Sequence, residues 1–188
     1  MNTMRFKNSN LYYGWVSIVL HWFMAIALIG LYFLGDYMVD LDYYDAWYHK
    51  GPALHKSAGI LLAAVLVFRF IWNYSQTRPK PQAASISLYL LARVAHLMLY
   101  LITALLIISG YLISTAKGQG IEVFNFFELP AILSDSSERG ELSGKVHAVL
   151  GTVLALMTAL HIVAALVHHY VFKDDTLKIM LLTKKHPD

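Results

Sequence analysis

Four long apolar runs constrain the fold of this 188-residue chain more than any other feature. They contain few charged residues and cover about 15–34, 54–74, 91–114 and 144–172. Each reaches the roughly 20 residues that a helix needs to cross a hydrocarbon core about 30 Å thick. A soluble protein can contain one such helix, but four would leave too little polar surface to keep so small a chain in water. The sequence therefore predicts an all-α membrane protein, a single domain over residues 1–188 that folds as a four-helix transmembrane bundle.

Composition narrows the chemistry that the chain can carry out. It has no cysteine, which excludes disulfides, thiolate metal sites and iron–sulfur clusters held by this chain. The first apolar run is too long for the hydrophobic region of a secretory signal, and no A-x-A-like site follows it. We therefore expect this run to be a retained membrane helix.

The distribution of basic residues predicts the orientation. Four spans put both chain ends on one side, together with the loop between the second and third helices. Of the 15 Lys and Arg residues, ten belong to that side: Arg5, Lys7, Arg69, Arg78, Lys80, Arg93, Lys173, Lys178, Lys184 and Lys185. By the positive-inside rule, both termini are predicted to be cytoplasmic. Nine of the 12 acids belong to the outer side, so membrane topology explains the pI of about 9.0 and nucleic-acid binding is not required.

Histidines at membrane depth are the most informative residues. The chain has nine histidines, and five lie within the apolar runs: His21, His55, His96, His147 and His161. His168 and His169 follow at the last inner turn. An ionisable side chain at this depth is costly, and it is a functional-site hypothesis by default. For any single histidine, the alternative is a neutral ring hydrogen-bonded between helices.

Depth in the membrane pairs four of these histidines. His21 lies in the inner half of the first helix, whereas His55 and His147 lie near the outer ends of the second and fourth. His161 follows His147 by fourteen residues, which is nearly four helical turns and about 21 Å, so both point from almost the same helix face. We predict an outer pair of His55 with His147 and an inner pair of His21 with His161.

Paired imidazoles on facing helices are the axial ligands that a six-coordinate haem iron requires. A flat macrocycle also needs small side chains beside its ligands, and the residue four positions on shares the ligand's helix face. For the four paired histidines these residues are Ala25, Gly59, Gly151 and Ala165. The pattern predicts haem held between the helices at two levels. Zinc is the rival metal, but it needs three or four converging ligands, and two pairs about 21 Å apart do not supply them.

On these residues, the chain resembles the bacterial cytochrome b561 family, which is similar to the cytochrome b subunits of nickel–iron hydrogenases. The resemblance covers nearly the whole chain and rests on a set of motifs in order: His21-Trp22, Leu54-His55-Lys56-Ser57-Ala58-Gly59, Ala95-His96-Leu97, His147 and His161 at the family's spacing, and His168-His169-Tyr170 followed by Lys173-Asp174-Asp175-Thr176-Leu177. It implies two noncovalently bound haems b with the same ligand pairs. It also implies a bacterial inner-membrane location and electron exchange with a quinone such as ubiquinone.

Three further residues are candidate cofactor contacts. Arg69 follows His55 by fourteen residues, so it is expected to face the bundle near the inner haem and pair with a propionate, or else to extend towards the interface. His96 is expected to bond a propionate, to line a quinone pocket, or to be a hydrogen-bonded core histidine. His168 lies seven residues beyond His161 and is either a group that handles a quinone proton or an interfacial histidine.

The function predicted from these residues is electron transfer by a dihaem b-type cytochrome. Filled axial positions leave no site for oxygen binding, so a carrier is favoured over an oxygenase. The predicted partners are membrane lipid and the quinone pool. Three alternatives remain open. The chain could oxidise superoxide and reduce ubiquinone, or it could anchor a dehydrogenase or accept electrons from a periplasmic protein with a basic face. The third is a non-redox proton path lined by histidines. The acidic outer loops disfavour an anionic substrate.

Overall fold

A computed structural model of the chain describes residues 6–80 and 85–181. It contains four long helices: α1 (Trp15–Val39), α2 (Lys50–Ser75), α3 (Ile86–Ser114) and α4 (Ser137–Tyr170). All four are long and apolar enough to cross a membrane, as the apolar runs predicted. Two short strands, β1 (Ile121–Val123) and β2 (Phe127–Leu129), connect α3 to α4, and a 3-10 turn over Lys178–Met180 follows α4.

The helix ends differ from the limits of the apolar runs because polar residues start and stop the helices. Ser136 caps α4 by accepting a hydrogen bond from Arg139 N. This helix therefore begins at Ser137, seven residues before the apolar run, and its first two turns are polar. It ends at Tyr170 instead of residue 172, and Lys173 then takes a positive φ of 54°. That left-handed residue turns the chain back towards the bundle.

Packing within the bundle is uneven. α1 packs along α2, and α3 packs along α4, whereas α1 and α4 meet at few points. The principal core cluster consists of Met24, Leu62 and Leu66, and residues of α3 pack against it. Large apolar side chains cover the outside of the helices, which in a membrane is the face that meets lipid. The bundle is therefore closed within each helix pair and more open between α1 and α4.

Contacts at one end of the bundle bring several parts of the chain together. Asn8 N donates a hydrogen bond to Gln76 Oε1, and Trp22 Nε1 donates one to Met180 O at 2.8 Å. The segment before α1, the end of α2 and the segment after α4 therefore share this end, which we call the inner end. The opposite end, which carries the hairpin, is the outer end. Three of the basic residues used to predict orientation, Arg5, Lys184 and Lys185, lie outside the described residues.

The β-hairpin corrects the expectation of a purely helical chain. β1 and β2 pair antiparallel, with Val123 opposite Phe127. The two turn residues, Phe124 and Asn125, have φ values of 47° and 60°, as a type I′ turn requires. Strands of three residues are too short to show an alternating pattern in the sequence, so the pattern did not predict them.

Ser57 attaches this hairpin to α2. Its hydroxyl donates to Glu122 O at 3.2 Å and accepts from Phe124 N at 3.1 Å. Ser57 is buried and lies two residues after His55. The hairpin is therefore fixed to α2 at about the level of His55.

Replacing Ser57 tests this attachment. Ser57→Ala removes both hydrogen bonds and leaves the Phe124 amide unpaired, so we expect it to weaken docking of the hairpin by about 1–3 kcal/mol. A Glu-specific protease should then cleave at Glu122 and Glu128 faster in the detergent-purified variant. Ser75→Ala is the control, because it removes only exposed bonds to Trp72 O and from Gln76 Nε2 at the inner end. Equal cleavage rates in the two variants would contradict the attachment.

Candidate cofactor site

The structure brings the four paired histidines together at two levels of the bundle. The ring centroids of His55 (α2) and His147 (α4) are 6.2 Å apart, with 71° between the ring planes. Those of His21 (α1) and His161 (α4) are also 6.2 Å apart, with 64° between the planes. The fourteen residues between the two α4 histidines separate the levels by about 21 Å. The site therefore consists of an outer pair and an inner pair on one face of α4.

The spacing within each pair suits a single metal bound between two rings. Metal–imidazole bonds of about 2 Å, with each ring centre roughly 1 Å beyond its nitrogen, separate the centroids by about 6 Å. Within residues 6–80 and 85–181, no three His, Asp or Glu side chains are grouped to hold a metal ion. Each pair offers two nitrogens, which suits a haem iron because the porphyrin supplies the other four ligands.

Glycines shape the surroundings of the outer pair in two ways. A Cβ atom added at Gly59 or Gly151 would meet no atom within 4 Å, so there is open space one turn from each outer ligand. A Cβ at Gly35 would lie 3.3 Å from His55 Cε1, and one at Gly110 would lie 3.1 Å from His147 Cε1. Helices α1 and α3 therefore approach the rings closely where they carry glycine. Sequence analysis identified the first two glycines but missed the second two.

Hydrogen bonds set the tautomer of His147. Its Nδ1 lies 3.0 Å from Leu106 O and 3.0 Å from Ser109 Oγ, both on α3. A carbonyl oxygen only accepts hydrogen bonds, so Nδ1 carries the proton and Nε2 keeps its lone pair. That is the tautomer that a metal ligand needs. Sequence analysis missed both partners, because α3 is apolar all round and its hydropathy does not show which side faces α4.

The inner pair has a different environment. Arg69 Nη2 donates a hydrogen bond to His21 Nδ1 at 2.9 Å, and the guanidinium lies 5.4 Å from the ring centre of Tyr100. Its Nε is buried and has no partner among the described residues. His96 packs edge-on against His161, with the ring centroids 5.3 Å apart. Arg69 thus faces the bundle at the inner level, one of the two positions that the sequence allowed, and its guanidinium points at His21.

His168 has an acidic partner that sequence analysis did not identify. Its Nδ1 hydrogen-bonds Asp174 Oδ2, and Asp174 Oδ1 accepts from Thr176 N at 2.9 Å. Burial raises the pKa of Asp174, but the bonds from His168 and Thr176 outweigh it and hold the pKa below the usual carboxyl value. The pair depends on the chain reversal at Lys173, which the sequence does not reveal.

The segment after α4 also forms an apolar cleft at the inner end. Ile179 is buried against the bundle, and the chain then passes beside the first turns of α1. The cleft has a volume of about 540 Å³ and is lined by Ile18, Val19, Trp22, Phe23, Met180 and Leu181. Trp22 directly follows His21, so the cleft lies at the level of His21 on α1.

Comparison with known proteins identifies the family. Residues 12–182 match the family described as prokaryotic cytochrome b561. The chain belongs to this family. It is 45% identical to cytochrome b561 homolog 2 of Escherichia coli (strain K12), over 95% of each chain. It is 25% identical to homolog 1 of the same organism, over 96% of this chain and 99% of the relative. It is also 25% identical to the probable superoxide oxidase CybB of Yersinia pestis, over 92% and 97%.

Family membership establishes the general character of the protein. Together with four membrane-spanning helices, it makes this cytochrome b561 a multi-pass protein of the bacterial inner membrane. Members are b-type cytochromes that bind haem b and transfer electrons. The two histidine pairs and the open space beside the outer pair fit such a group.

Gly110 provides a test of the outer pair. Gly110→Ala places a methyl group 3.1 Å from His147 Cε1, so the ring must shift, whereas Gly30→Ala meets no atom within 4 Å. We expect Gly110→Ala to weaken haem retention about tenfold, as displacement of a ligand's supporting contacts does. The rate of haem transfer to apomyoglobin measures this. Identical rates in the two variants would show that close approach of α3 does not position His147.

Proposed function

We propose that this cytochrome b561 holds two haems b, one between His55 and His147 at the outer level and one between His21 and His161 at the inner level. The observation that carries the proposal is the equal 6.2 Å separation of the ring centroids in both pairs. Bound haem would supply reversible one-electron chemistry inside the membrane. We further propose that the inner end, with both chain ends, faces the cytoplasm, in line with its basic residues.

The chain's own residues hold and insulate these two levels. The apolar cluster of Met24, Leu62 and Leu66 lies on the helices between them and excludes water. Leu106 O and Ser109 Oγ orient His147 and keep its Nε2 available. With two histidines for each haem, no coordination position of the iron would stay open to oxygen, so these residues favour a carrier over an oxygenase.

Arg69 and His96 have proposed roles at the inner level. Binding of iron at His21 Nε2 would put a proton on Nδ1, which then no longer accepts from Arg69. The guanidinium would need another acceptor, and its unpartnered Nε already lacks one among the described residues. We propose that a haem propionate is the acceptor for the Arg69 guanidinium. His96 packs against His161 and limits rotation of that ring.

Counting haems in ligand variants tests the proposal. His55→Ala and His21→Ala should each lower the content from two haems per chain to one, because each removes one axial ligand. His49→Ala, at the exposed start of α2, is the control and should keep both. Pyridine haemochrome analysis and a reduced-minus-oxidised spectrum of the purified protein give the count. A protein expressed with ample haem that contains none would contradict the proposal and favour a histidine-lined proton path.

We propose that electrons are exchanged with quinone at the inner end. The cleft beside Trp22 is shallow and open, and its apolar lining of Ile18, Phe23 and Leu181 suits contact with a quinone ring and tail. Quinone reduction also consumes protons, and the His168–Asp174 pair belongs to the same end of the bundle. Because the pKa of Asp174 is lowered, its carboxylate stays ionised above the ordinary carboxyl pKa and accepts the His168 bond there. That bond is lost only as pH falls through the lowered value.

Replacing His168 tests proton handling. His168→Gln should slow reduction of the haems by ubiquinol by about a hundredfold, the lower range for loss of a general acid or base, with haem content unchanged. His169→Gln, which alters the neighbouring ring packed on Tyr170, is the matched control. Stopped-flow reduction of the haem bands by ubiquinol measures the rate. Equal rates in both variants would exclude His168 from the proton path.

Superoxide is a second candidate electron donor. It is suggested by the similarity to the probable superoxide oxidase of Yersinia pestis, at 25% identity. The outer end opposes it, because all nine of its acids are exposed: Asp36, Asp40, Asp42, Asp45, Glu122, Glu128, Asp135, Glu138 and Glu141. Such a surface repels an anion and attracts a basic protein. We therefore favour a periplasmic donor with a basic face. Added salt screens the surface charge, so it should accelerate electron donation by superoxide and slow donation by a basic protein.

A further inference from the structure

The two histidine pairs differ in the charge that surrounds them. At the inner pair, the buried guanidinium of Arg69 lies 2.9 Å from His21 Nδ1. At the outer pair, His147 bonds only to the neutral groups Leu106 O and Ser109 Oγ. Among the described residues, no Lys or Arg hydrogen-bonds to either outer histidine.

Basic residues near the outer pair are more distant or exposed to water. Arg139 lies in the first turn of α4, eight residues before His147 and about 12 Å away along the helix, and its Nε and Nη2 are buried with no hydrogen-bond partner among the described residues. Lys56 and Lys145 are exposed, and Lys145 Nζ pairs with Glu141 at 2.7 Å. Solvent screens the two lysines, and the charge of Arg139 acts over a longer distance than that of Arg69, which contacts His21 directly. The inner pair therefore experiences the stronger positive field.

This difference bears on where an electron is more stable. Reduction adds one negative charge to a haem, so a nearby buried cation stabilises the reduced form. At the outer pair, the hydrogen bond that His147 Nδ1 donates to Leu106 O makes the imidazole a stronger electron donor, which stabilises oxidised iron. Both effects act in the same direction. They raise the potential of the inner level and lower that of the outer level.

We propose that Arg69 makes the inner haem the one with the higher reduction potential, so that electrons pass from the outer to the inner level. This inference rests on the dihaem function proposed above. In each transfer the outer haem is oxidised by one electron and the inner haem is reduced by one. Arg69 keeps its proton throughout. Its charge stays at the inner level whether it bonds His21 or a propionate.

Spectroelectrochemical titration of single-haem variants tests the order of potentials. His55→Ala should retain the inner haem and His21→Ala the outer haem. The inner midpoint should be higher by at least a tenfold shift in the reduction equilibrium, which is 59 mV for one electron. Equal midpoints, or a higher outer midpoint, would overturn the inference while the dihaem function stood. Absence of haem from the unaltered protein would overturn both.

Charge removal at Arg69 tests the cause. Arg69→Gln keeps a hydrogen-bond donor for a propionate but removes the charge, so the inner midpoint should fall by at least tenfold in the reduction equilibrium, with the outer midpoint unchanged. Arg69→Lys should retain most of the inner midpoint. Arg93→Gln is the control, because Arg93 packs over Tyr89 near the start of α3. An unchanged inner midpoint in an Arg69→Gln protein that retains both haems would overturn the role of Arg69.

Discussion

An imidazole inside a bilayer needs a polar partner on each ring nitrogen, and the surrounding lipid supplies none. The helices satisfy their own backbone groups, so each buried histidine must find its partners on another helix or on a bound group. His147 shows how this works, because a carbonyl of α3 accepts its Nδ1 proton and leaves Nε2 directed elsewhere. The need for a second partner, repeated at four histidines, determines where the bundle must stay open.

The uneven packing of the helices provides the space in which the histidines can meet a bound group. Tight contact within the α1–α2 and α3–α4 pairs supplies stability, and the sparse contact of α4 with α1 and α2 leaves room where the histidines face each other. Glycine serves both purposes. At Gly110 it lets α3 reach the ring of His147, and at Gly151 it leaves space one turn from the same ring. A core filled with large side chains would close this space and leave the imidazoles with no group to bind.

Helix geometry explains how much the sequence could predict. The rise of 1.5 Å per residue is fixed, so counting residues gave the depth of each histidine and hence the pairs that the structure brings together. Rotation of α3 about its axis is not fixed by an apolar sequence, so the contact of Ser109 with His147 was not predictable. The His168–Asp174 bond depends on one left-handed residue, Lys173, and the hairpin on two strands of three residues. Hydropathy carries no signal for such local reversals.

The two ends of the protein show why the location of a charge matters more than the number of charges. Nine carboxylates at the outer end face water, where each is screened within about 10 Å at ordinary ionic strength. One guanidinium at the inner level lies against the histidines among apolar side chains, where the effective dielectric constant is lower and the field reaches further. In the function proposed here, the exposed acids would influence which molecules approach the outer surface, and Arg69 would act on the energy of an electron inside the bundle. Separation of these two tasks would let one small chain select a donor at one end and favour electron movement towards the other.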